Sequence, residues 1–140
     1  MDVNDFIIKD TVSEADILSI RKPLREYNLA YMEDRNVKDL GIFLENEAGE
    51  RMAGIIAETH GNWLFVELLW VAEELRGQNI GTKLLKQAEE TARERGCKFV
   101  FLDTFSFQAP LFYKKQGYKE VFTLTEYPRT GKRHYYTKTL

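Results

Sequence analysis

The chain has 140 residues, 44% of them hydrophobic and 13% aromatic, which suits one domain with a packed core and excludes wholesale disorder. A formal charge of -2 weighs against a general nucleic-acid binder, which carries a basic surplus. A single cysteine, Cys97, excludes an internal disulfide. No basic leader precedes an apolar run, and the longest nearly apolar stretch, 63–72, is too short for a bilayer, so a cytoplasmic protein with no membrane partner is expected.

In chain order, Phe6 to Lys9 reads as a short strand. Thr11 and Ser13 offer helix caps, and Ile17, Ile20, Leu24, Tyr27 and Tyr31 follow at spacings of one helical face. Pro23 falls inside that pattern and predicts a break or kink, or the start of a second helix. Three strand-like runs come next, Leu40 to Asn46, Arg51 to Thr59 and Trp63 to Val71, separated by short turns that predict an antiparallel meander. Ile80, Leu84, Ala88 and Ala92 recur every four residues with charged residues opposite, an amphipathic helix capped by Gly96. Lys98 to Asp103 reads as a strand and Gln108 to Gln116 as a short helix with Pro110 in its first turn. Tyr118 to Leu124 and His134 to Thr139 form a closing hairpin. The expected fold is α/β, a single domain over 1–140 with about seven strands in one twisted sheet flanked by helices.

The stretch from Glu74 to Leu85, ELRGQNIGTKLL, lies between the third strand and the amphipathic helix. A helix start leaves backbone N–H groups without partners at the positive end of its dipole, a natural seat for phosphate. Gly77 and Gly81 let a ligand approach the backbone, Asn79 tolerates a left-handed conformation, and Arg76 adds a forked cation. The spacing matches neither the Walker loop nor the dinucleotide-binding fingerprint. From the turn alone, a plain glycine-capped connection is an equal reading.

Two segments point further. LWVAEELRGQNIGTKLL resembles the central motif of the GNAT acetyltransferase superfamily, in which a strand and an acidic loop lead into [RQ]-x-x-G-x-[GA] at a helix start. Arg76 and Gly81 match, and Asn79 stands where the family usually has its first glycine. APLFYKKQGYKE resembles the family's A-x-x-x-Y-x-x-x-G-[FY] segment, with Tyr113, Gly117 and Tyr118 in register. Ser106 stands where the family often carries an asparagine three residues before the alanine.

The resemblance implies a mostly antiparallel mixed sheet whose central strands splay apart, with acetyl-CoA as cosubstrate and an amine as acceptor. It implies that the N–H groups of Gln78, Asn79, Ile80, Gly81 and Thr82, with Arg76 and Gly77, hold the pyrophosphate. Leu69, Trp70 and Val71 would pair with the pantetheine arm, and Ser106 would bond to the cofactor. It implies Tyr113 as general acid, core packing beside Phe112 being the alternative. Glu67 is the candidate base, placed by strand alternation on the face of Leu69 and Val71, or else a structural carboxylate; Asp103 is a weaker base. No residues show metal-ligand spacing, so no metal is expected, and a homodimer is a modest expectation. The expected function is acetyl transfer to a primary amine of a small molecule or peptide in a ternary complex. The alternative is a non-catalytic acyl-CoA-binding or sensing module.

Overall fold

A computed structural model describes residues 1–140, which divide into two compact units, 1–35 and 36–140. In the first, helix α1 (Glu14–Tyr31) starts at Ser13. The Ser13 hydroxyl accepts from the Asp16 N–H while the Asp16 carboxylate accepts from the Ser13 N–H, a reciprocal capping box. Phe6 to Lys9 forms no strand, and Phe6, Ile7 and Ile8 are exposed. Pro23 does not end the helix. The capping box at one end and the Met32 N–H bonded to the Asn28 carbonyl at the other hold both halves, and the helix runs through with one internal bond missing.

The second unit is one six-stranded mixed sheet, one strand fewer than expected because the N-terminal run does not join. Its strands are β1 (Val37–Glu45), β2 (Arg51–His60), β3 (Trp63–Val71), β4 (Phe99–Phe105), β5 (Lys119–Thr125) and β6 (Lys132–Thr139), in spatial order β1-β2-β3-β4-β6-β5. Helix α2 (Ile80–Glu94) joins β3 to β4, and α3 (Pro110–Lys115) joins β4 to β5. The β3–β4 pair is parallel and every other pair antiparallel. This is the crossover a βαβ unit requires.

One face of the sheet carries the core. Ala53, Ile55 and Ala57 alternate inward on β2, and Val100 and Leu102 do so on β4. Leu84, Leu85, Ala88 and Ala92 bury the apolar stripe of α2 against them. The two alanines keep the helix close to the sheet, and each fully buried Leu contributes ~1.5–3 kcal/mol. Glu89, on the buried side of α2, is only 3% exposed and is compensated in full. The Tyr118 hydroxyl donates to it at 2.7 Å and Lys138 Nζ donates at 3.0 and 3.2 Å. Lys138 also donates to the Gln116 carbonyl at 2.9 Å, just before Gly117 turns the chain with φ of 90°. This cluster ties α2 to β6 and to the end of α3, the elements that bound the cleft below.

Candidate active site

The β3–β4 ladder runs only from Trp63↔Phe99 to Val66↔Leu102, and beyond it the two strands splay. A β-bulge in β3 falls at the fork: Ala57 faces Val66 while Ile56 faces Leu68, leaving Glu67 as the inserted residue. The bulge corrects the expected alternation. Val66, Leu69 and Val71 share the core side with Ala57, Ile55 and Ala53, whereas Glu67 and Leu68 both sit opposite Ile56 and are exposed. Glu67 therefore lacks the burial that strand periodicity predicts for it.

Past the bulge the ladder register sets which backbone groups stay free. The Ala72 N–H donates to the Met52 carbonyl, so residues 72 and 70 form the hydrogen-bonded pairs with β2. The N–H groups of Leu69 and Val71 then point away from β2, into the side where β4 has departed. Arg76 Nε donates to the Val71 carbonyl on that side at 3.3 Å and folds the loop back on the strand.

The loop itself passes through one 3-10 turn, Glu73–Leu75. Gly77 takes φ of 82°, and Asn79, the residue before α2, takes φ of 61° and ψ of 21°. Asn79 thus occupies the left-handed conformation that the motif's glycine would supply. The first intrahelical bond is from the Lys83 N–H to the Asn79 carbonyl, and the N–H groups of Gln78 to Thr82 donate to no group in the chain. At Gly81 an added Cβ would stand 3.5 Å from the Phe112 ring and 3.8 Å from Val71, so the helix start lies flush against strand and α3.

These elements enclose a cleft of about 370 Å³ lined by Leu69, Trp70, Val71, Arg76, Gly77, Asn79 and Tyr113 among others. A second cleft of about 680 Å³ occupies the fork, with Glu67, Asp103, Phe105 and Arg133 in its wall. Leu69, Trp70, Ala109 and Tyr113 line both. Tyr113 is 7% exposed, packed edge-on against Phe112 and Tyr118. Burial, reinforced by the negative charge of Asp103, pushes its phenol up to about 12, so it is a firm proton holder at neutral pH.

Asp103 is tied to Arg133, whose Nε donates to it at 2.6 Å. Arg133, on β6, is thereby drawn into the fork. Ser106 is not brought to the loop cleft; it lines a separate cavity with residues 127–132. Ala109 and Phe112 were not singled out as site residues, although both lie in the segment that carries Tyr113. Cys97 is buried core filler with its thiol pushed up by desolvation. No helix is long and apolar enough to cross a membrane.

The acetyltransferase (GNAT) family profile matches residues 10–118. The chain belongs to the GNAT acetyltransferase family. Acetyl-CoA is the acetyl donor of this family. An acetyltransferase of Agrobacterium fabrum is 37% identical over 86% of this GNAT chain and 88% of its own. The blasticidin-S acetyltransferase of Streptomyces morookaense is 36% identical over 78% of this chain and 81% of its own. A solved structure from Agrobacterium tumefaciens superposes with a TM-score of 0.92 at 33% identity, covering 97% of this chain and 99% of that one.

Proposed function

We propose that residues 1–140 serve as one N-acetyltransferase domain, in the cytoplasm, moving acetyl from acetyl-CoA to the primary amine of a small molecule or peptide within a ternary complex. The observation that carries this reading is the place of Tyr113, at the wall common to the loop cleft and the fork cleft. A group there meets both a donor entering along α2 and an acceptor entering between the strands. The blasticidin-S acetyltransferase among the relatives supports a small-molecule acceptor.

In this reading the N–H groups of Gln78, Asn79, Ile80, Gly81 and Thr82 hold the pyrophosphate, with Gly77 giving it room. Arg76 contributes its remaining guanidinium donors, its Nε being engaged by Val71. The backbone of Leu69 and Val71 takes the pantetheine arm, filling the place β4 vacates, while Trp70, its own N–H bonded to β2, only lines the cleft, and the free N–H of Val71 or Leu69 stabilises the oxyanion. The neutral amine attacks the thioester carbonyl, the C–S bond breaks, Tyr113 gives its proton to the departing thiolate, and the proton then shed by the new amide nitrogen restores the phenol. Glu67, being exposed, removes the ammonium proton through water. Asp103 is less suited to that role, because the bond from Arg133 holds its carboxylate. The exposed aromatic side chains Trp63, Phe101 and Phe122 support a homodimer.

Calorimetric titration with acetyl-CoA, CoA and ATP, followed by turnover over a panel of primary amines, tests the function. The expected result is saturable binding of both CoA species, little ATP response and release of free CoA with at least one amine. Binding without turnover on any amine would leave a sensing module instead.

A further inference from the structure

The segment leaving β4 makes a second set of contacts that acetyl transfer does not use. Ser106 Oγ lies 2.9 Å from His134 Nε2, and His134 Nδ1 is hydrogen-bonded to the Glu120 carboxylate. Three elements converge to make this: the turn after β4, the first residues of β6, and β5 beside it. The direction of the bonds follows from their chemistry. A carboxylate only accepts, so Nδ1–H is the donor to Glu120; in the neutral form of the ring Nε2 then offers a lone pair to the Ser106 hydroxyl, which lies nearer to it than to its other acceptor, the Lys132 carbonyl at 3.4 Å. Thr123 Oγ1 donates to the same Glu120 oxygen at 2.8 Å and fixes the carboxylate. The bonds from His134 and Thr123 hold that carboxyl below its ordinary range. The His134 side chain is 15% exposed while Ser106 is exposed, so the base is shielded and the hydroxyl reachable.

A nucleophile needs space and a stabiliser beside it. Ser106 opens on a cavity of about 390 Å³ whose walls include Phe107, Tyr127 and Pro128 and whose charged lining residues are Arg129 and Lys132, with no carboxylate among them. The N–H of Phe107, the residue after the serine, donates to no group in the chain, and Phe107 lines the same cavity. An unpaired N–H immediately after a nucleophilic serine is a recurring oxyanion donor.

We propose that Ser106, His134 and Glu120 form a second, nucleophilic site that hydrolyses small anionic esters. Ser106 Oγ attacks the ester carbonyl as its proton passes to His134 Nε2. The acyl–oxygen bond breaks, and the same nitrogen returns the proton to the departing alkoxide or phenoxide. Water, giving a proton to Nε2, then attacks the acyl-serine, releasing a carboxylic acid and the free hydroxyl. Glu120 orients the ring and stabilises the imidazolium formed in each step. Arg129 and Lys132 select the anionic ester.

The test uses the full chain. Phenylmethylsulfonyl fluoride should leave a sulfonyl adduct on Ser106, located by peptide mass spectrometry. Para-acetoxybenzoate should be hydrolysed faster than neutral phenyl acetate. Ser106→Ala should lose that hydrolysis, and His134→Asn should lower it ~100-fold or more. Thermal unfolding of each variant checks that it folds. Wild-type protein without a Ser106 adduct, or Ser106→Ala hydrolysing at the wild-type rate, would overturn the proposal and leave the three residues as a tie between the turn and β6. A preference for phenyl acetate would overturn the anionic substrate class.

Discussion

Tyr113→Phe removes one oxygen from a ring otherwise held by Phe112, Tyr118 and Tyr136, so packing survives and only the proton is lost. Turnover should fall ~100-fold or more while acetyl-CoA affinity stays within ~2-fold, read by steady-state kinetics beside calorimetry. The same residue shapes alkaline stability. Its phenol titrates near 10 when unfolded and at about 12 in the fold, so the unfolded state sheds its proton first and stability falls as pH rises from about 10. Tyr118 and Tyr136 are raised in the same direction, so Tyr113→Phe should flatten that decline only in part, measured by denaturant melts across the range. Asn79 offers a conformational test. At φ of 61° a valine is strained by ~1–2 kcal/mol, whereas glycine is at ease. Asn79→Val should lower both unfolding free energy and acetyl-CoA affinity, and Asn79→Gly should keep both. The loop's backbone was legible because positive-φ positions favour glycine and asparagine, which stand at Gly77 and Asn79, while the roles of the loop and of Tyr113 came from the resemblance of the two motifs. Glu67 was misread because period-two alternation holds only in an unbroken ladder, and a single inserted residue reverses every inference past it. Ser106 was assigned by its distance from an alanine, and distance along the chain does not say which way a turn faces.

Among the elements, α2 depends on a buried charge cluster. Lys138→Ala would leave Glu89 3% exposed and without its cation, and would strip the Gln116 carbonyl of its donor. Breaking such a pair costs ~3–5 kcal/mol. Adding Glu89→Gln in that background should restore part of the loss, because the stranded charge goes with it; equilibrium unfolding of the single and double variants measures this. Helix α2 itself was readable to its first residue, since a four-residue apolar period admits only one face. Strand β3 was equally clear, bounded by a glycine turn at one end and a charged loop at the other. The N-terminal elements were not. A short apolar run becomes a strand only if it pairs with another strand, and whether a proline breaks a helix depends on how firmly its two halves are anchored. Neither condition is written in the local sequence.

Across the whole molecule the sheet consists of two three-stranded halves, β1-β2-β3 and β4-β6-β5, joined by a ladder only four residue pairs long. The element order made a mixed sheet legible, and the family motifs implied the splay, but the point of divergence became visible only in the register. That divergence gives one strand two sorts of amide. The Trp70 N–H faces β2 and is locked in the ladder, while its neighbours Leu69 and Val71 face the fork. Hydrogen–deuterium exchange followed by NMR should therefore alternate along these residues in the free protein, with Leu69 and Val71 fast and Trp70 slow. Adding acetyl-CoA should slow the two fast amides toward the rate of the third, so that the pantetheine arm behaves, in its protection pattern, as a seventh strand that arrives with the substrate and leaves with the product.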